Sequence, residues 1–127
     1  MLRVEFIPQF YMGEDDVVLV ALDRDGIEQL AGAMRQASKP SRSPIVLGVG
    51  QQNHVLMTEE GGGAIEIRDG DVIWRLSSEC MEEIAFKLEA MKVSPGPCHH
   101  YVDITEPAST LILSRDEYPD SPLSFAP

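Results

Sequence analysis

The order of sequence elements repeats, and that repetition restricts how this chain can fold more than any other feature. The run Leu22-Asp23-Arg24-Asp25-Gly26-Ile27-Glu28-Gln29-Leu30-Ala31 aligns without gaps on Leu76-Ser77-Ser78-Glu79-Cys80-Met81-Glu82-Glu83-Ile84-Ala85. In both, a β-like segment runs into a polar cap and then an amphipathic helix, with one strand before the unit and two after it. The chain therefore reads as ββαββ twice, over about residues 1–60 and 61–118, followed by a C-terminal tail. Identities are few (Leu22/Leu76, Glu28/Glu82, Ala31/Ala85), so the repeat rests on element order. Two such units predict one α+β domain over residues 1–127. Its sheet should be mainly antiparallel, its two helices should cover a face, and its halves should be related by a pseudo-two-fold axis.

The elements follow from patterning. Leu2 to Ile7 alternates as a half-buried strand that Pro8 should end, and Val17 to Leu22 is a continuous apolar run. Asp23 and Asp25 supply N-cap chemistry to a helix whose Ile27, Leu30, Ala31 and Met34 share one face. The cluster Lys39-Pro40-Ser41-Arg42-Ser43-Pro44 ends it. Ile45–Val49 and His54–Thr58 predict a hairpin. Ala64–Arg68 and Asp71–Leu76 predict another around Asp69-Gly70, a turn signal calling for positive φ at both positions. Ser77 or Ser78 caps a second helix with a stripe of Met81, Ile84, Ala85, Leu88 and Met91. Cys98–Ile104 and Thr110–Ser114 are the last strands. Trp74 reads first as core and second as an exposed anchor.

Chemistry-bearing residues are densest in Cys98-His99-His100-Tyr101-Val102-Asp103. Strand alternation places Cys98, His100, Val102 and Ile104 on a core face and His99, Tyr101 and Asp103 on a solvent or site face. With His54 these are candidate binding residues. Arg115, Asp116, Glu117 and Tyr118, at the end of the last strand, offer both charges and a ring for a partner contact. Cys98 and His100 with Cys80 or His54 would make a zinc-type set, but no zinc-module spacing is present, so no metal or other cofactor is expected. Cys80, in the first turns of a helix, is a candidate nucleophile if the helix field lowers its pKa, although no cysteine-hydrolase signature accompanies it.

Charge narrows the partners. With 21 acidic and 10 basic residues the formal net charge is −11, which disfavours nucleic acid and suits a basic protein. Two cysteines make no disulfide framework, and no signal-peptide pattern or apolar run of about 20 residues occurs. The reading is a cytoplasmic protein with no membrane partner. Two function classes remain open: a non-enzymatic protein-interaction module, and a small ligand- or metal-binding protein using the Cys98–Asp103 strand.

Two resemblances bear on these classes. The order β followed by βαβββ is similar to the half-domain repeat of DNA sliding clamps in circular permutation, which implies architecture alone. His54-Val55-Leu56-Met57-Thr58-Glu59-Glu60-Gly61-Gly62-Gly63, with His-His-Tyr-Val-Asp and Leu-Ile-Leu-Ser-Arg-Asp-Glu-Tyr within Cys98–Tyr118, resembles small bacterial immunity-type proteins of polymorphic toxin systems. That resemblance implies a bacterial cytoplasmic protein that binds and blocks another protein and has no catalysis of its own.

Assembly is the last expectation. Thr110 to Ser114 has no internal charge or proline and would be an unprotected edge unless covered. Leu123 and Phe125 of the tail are expected to cover a sheet edge, either the chain's own or that of a second copy in a homodimer.

Overall fold

A computed structural model describes residues 1–11, 15–49 and 51–117. Tyr118 and the expected packing of Leu123 and Phe125 lie outside the described residues. The elements are β1 (Leu2–Tyr11), β2 (Asp15–Leu22), α1 (Arg24–Ala37), a 3-10 turn (Pro40–Arg42), β3 (Ile45–Val49), β4 (Gln52–Thr58), β5 (Gly63–Arg68), β6 (Asp71–Leu76), α2 (Ser78–Lys92), β7 (Cys98–Asp103) and β8 (Thr110–Arg115). This is an α+β fold in which ββαββ occurs twice.

The strands form two four-stranded sheets, ordered β1-β2-β8-β7 and β3-β4-β6-β5. Neither sheet belongs to one repeat. Each takes a hairpin from both, joined antiparallel within the hairpin and parallel at the centre, where β2 meets β8 and β4 meets β6. Exchanging the two repeats converts one strand order into the other, which is the pseudo-two-fold relation read from the sequence. The two helices pack against each other across one shared core. That core contains Leu22, Leu30, Met34, Leu56, Trp74, Leu88 and Leu113. Arg35–Glu89 and Glu28–Lys92 ion pairs bridge the helices at their exposed rims. Among the described residues no helix is long and apolar enough to cross a membrane.

Both helix starts follow the capping rule. The Asp23 carboxylate accepts from the Gly26 N–H at 2.9 Å, and the Ser77 hydroxyl oxygen accepts from the Cys80 N–H at 3.1 Å. Glycine is required at position 26 because a Cβ there would lie 1.8 Å from the Met1 carbonyl oxygen.

Three expectations change. β1 continues through Pro8 to Tyr11, with Gln9 at φ 52 and a register irregularity after Ile7. A sheet edge tolerates proline because its missing N–H faces no ladder. In the β5–β6 turn Gly70 takes positive φ, at 75°, while Asp69 does not, so the turn is not the doubly left-handed one that Asp-Gly signals. The largest change concerns β8. It lies between β2 and β7, with Leu111, Ile112, Leu113 and Ser114 all buried. Its continuous apolar run is that of a central strand, not an unprotected edge.

Candidate functional site

The last strand pair gathers one surface from the sequence-derived residues. On β7 the side chains alternate as expected: His99, Tyr101 and Asp103 are exposed, Val102 is buried, and Cys98 and His100 are half-buried on the core side. β7 is the last strand of its sheet, and His99 lies opposite Ser114 of β8. After β8 the chain turns sharply at Asp116, whose φ is 58° and whose N–H donates to the Leu22 carbonyl at 3.0 Å. Aspartate is among the residues that tolerate this left-handed geometry. The turn carries Glu117 back over the outer side of β8. One of its carboxylate oxygens accepts from the Ser114 hydroxyl at 2.5 Å, and the other lies 3.2 Å from His99 Nδ1. The His99 ring meets Tyr101 edge to face, with centroids 5.4 Å apart.

Glu117 stands between hydroxyl and imidazole, so the imidazole does not contact the hydroxyl it would have to deprotonate, and Ser114 is buried. What the surface offers a partner is a phenol ring 47% exposed, an imidazole held in place by a carboxylate, and the exposed Asp103 carboxylate. A ring face beside carboxylates suits an incoming ammonium or guanidinium group.

The remaining candidates go elsewhere. Arg115 is structural. Its guanidinium donates to the carbonyls of Met91 at 2.8 Å and Ser94 at 2.9 Å, closing the C-terminal end of α2, and pairs with Asp116 at 3.1 Å. Arg115 and Asp116 thus hold the end of α2 to the chain reversal. His54 sits in the other sheet, fully buried. Its Nδ1 accepts from the Trp74 indole N–H at 3.2 Å, and its Nε2 has no hydrogen-bond partner among the described residues. Burial pushes its pKa down to about 4, so the ring is neutral at pH 7. Trp74 is core, the first of its two readings.

Cys80 does not have the lowered pKa that its helix position suggested. Burial, with Glu83 nearby, pushes its thiol up to about 11, and Lys87 only partly opposes this. Among the described residues no three His, Cys, Asp or Glu side chains are grouped to hold a metal ion. The combination of Cys98, His100 and His54 or Cys80 is therefore not assembled.

Sequence reasoning missed the rim of α2. Lys87 Nζ donates to the Tyr101 carbonyl at 2.6 Å and to Glu83 at 2.8 Å, tying the helix to the free edge of β7. Phe86, midway along the helix, and Val93, at its C-cap, are 72% and 80% exposed. The signal was present: Phe86 falls outside the stripe of Met81, Ile84, Ala85, Leu88 and Met91, and a large apolar residue off the stripe has no core to enter.

No family model matches this chain, and neither a curated protein nor a solved structure matches it.

Proposed function

We propose that this protein is a non-enzymatic interaction module, of the immunity or accessory type, that binds a basic protein partner at the β7–α2 face. The observation that carries the reading is the exposed Tyr101 ring packed edge-on against His99, which Glu117 holds in place. Exposed aromatic side chains on a rigid strand make good anchors, because they bring contact area at small cost in conformational entropy. Phe86, exposed on α2 next to Lys87 in sequence, is a second apolar side chain for the partner. The net charge of −11 supports a basic partner by steering its approach.

The test is affinity capture at low salt, identification of bound proteins, and calorimetry on the purified pair. The expected partner is basic, and its affinity falls as salt rises. A double variant, Tyr101→Ala with Phe86→Ser, should bind at least about tenfold more weakly with an unchanged melting curve. Finding no basic partner at low salt, or equal affinity for the double variant, would overturn the reading.

A further inference from the structure

We infer that the segment 118–127 seats across the outer face of the first sheet, where Leu123 and Phe125 cover a second apolar cluster. Both helices lie against the other face. There Val18, Val20 and Leu22 of β2 and Leu111 and Leu113 of β8 join the shared core with residues of α1 and α2. The alternate residues form a separate cluster, Ile7, Val17, Leu19 and Ile112, with Phe10 packed against it. Its members are register neighbours: Val17 faces Ile7, and Leu19 faces Ile112. β2 and β8 are thus apolar on both sides, the pattern of strands covered on both sides.

The four members of the outer cluster are between 0 and 7% exposed, as on a covered face. Yet every described member, Phe10 included, belongs to the strands of the sheet itself, and no helix residue joins it. A sheet buries the side chains of one face by packing them against a second layer.

The path of the chain identifies that layer. Asp116 reverses the chain at φ 58°, and Glu117 then lies over the outer side of β8, bonded to the Ser114 hydroxyl and 3.2 Å from His99 Nδ1. Ile112 is the next residue after Ser114 on that face, about 7 Å along the strand. The segment that follows is ten residues long, 118–127, and spans about 33 Å when extended, whereas crossing from β8 over β2 to β1 takes about 10 Å. Pro119, Pro122 and Pro127 favour an extended path over a helix. In an extended chain Leu123 and Phe125, two residues apart, point the same way, and Ser124 points back to solvent. A tether this short holds its apolar groups at a millimolar effective concentration, which a second copy carrying the same charge of −11 does not match.

The experiment is methyl NMR on the full chain, with Ile, Leu and Val methyl groups labelled and nuclear Overhauser contacts recorded to the Phe125 ring. Contacts from that ring to the methyls of Leu19 and Ile112 are expected, assigned by their loss in the double variant Leu123→Ser with Phe125→Ser. They should persist when the labelled protein is mixed with an excess of chain carrying deuterated phenylalanine, which removes any contact made by a second copy. The double variant should melt at least about 5 °C below the parent, having lost two buried apolar groups. It should also bind more of an apolar dye such as ANS. Ser124→Asp, on the opposite side of the extended segment, should leave both readings unchanged. Absence of the ring–methyl contacts overturns the inference. So do contacts that vanish on mixing, a double variant that melts with the parent, or a Ser124→Asp variant that loses as much as the double one.

Discussion

The two sheets share one plan and carry different chemistry. Superposing Leu22 on Leu76, a shift of 54 residues, sets Val18 on Val72 and Val20 on Trp74. In the first sheet Val18 faces Leu111 and Val20 faces Leu113. In the second, Val72 faces His54 and Trp74 faces Leu56. An aliphatic core position on one side thus becomes, on the other, a buried imidazole bonded to a buried indole. The outer edges differ in the same way. β7 has Lys87 on its Tyr101 carbonyl, whereas at the equivalent position in α1 stands the buried Ala33, and among the described residues no side chain bonds the outer edge of β3. The difference teaches that a repeated framework does not repeat its sensitivities. The second sheet holds the buried His54–Trp74 pair and an edge strand, β3, with no charge or proline in it.

The largest expected effect tests the core half of the comparison. Trp74→Ala removes the largest fully buried side chain and leaves His54 without its donor. The expected loss is about 3–5 kcal/mol, against about 2 kcal/mol for Val20→Ala at the equivalent place in the first sheet. Urea denaturation of both variants measures the pair. Equal losses would mean that the indole–imidazole contact adds nothing beyond volume.

Acid should separate the two sheets next. His54 is neutral when folded, with its pKa pushed from the ordinary 6.5 down to about 4. The unfolded chain therefore takes up the proton first as pH falls, and stability drops between about pH 6.5 and 4 and levels off below. A shift of that size corresponds to about 3 kcal/mol at most. In His54→Leu, which copies Leu111, the unfolding free energy should change less between pH 7.5 and 4.5 by about 2–3 kcal/mol. The variant leaves the Trp74 N–H unpaired, at about 1–3 kcal/mol, so its stability at pH 7.5 should be slightly lower than the parent's. Parallel pH profiles for the two proteins would show that His54 is not the acid-sensitive group.

How much of this could be read from residues alone divides along physical lines. Local rules placed the elements: the caps at Asp23 and Ser77, the helical stripes, and the alternation that sends His99, Tyr101 and Asp103 outward. Strand order is set by long-range pairing, which leaves no local trace. The sequence could not show that β8 would lie between β2 and β7, and its apolar run suited either a buried strand or a dangerous edge. His54 was named for its chemistry, but its burial depends on the opposing Val72 and the neighbouring Trp74. Glu117 and His99, 18 residues apart, meet only because Asp116 reverses the chain. Arg115 looked like a surface charge until the end of α2 proved to lie within its reach.

The smallest effect on stability tests the edges. Lys87→Met removes the ammonium that occupies the Tyr101 carbonyl and keeps most of the apolar stem. Its pairing with Glu83 is an exposed contact one helical turn away, so the folding cost should be no more than about 1 kcal/mol. The consequence for assembly should be larger. With Lys87 gone, the Tyr101 carbonyl on the β7 edge loses that donor, and an unguarded edge can pair with a second copy. The variant should therefore form heavier species than the parent as concentration rises. Sedimentation velocity of parent and variant at matched concentrations reads the outcome directly. Identical mass distributions would show that Lys87 does not guard its edge, and the contrast between β7 and β3 would then lie in the strands themselves.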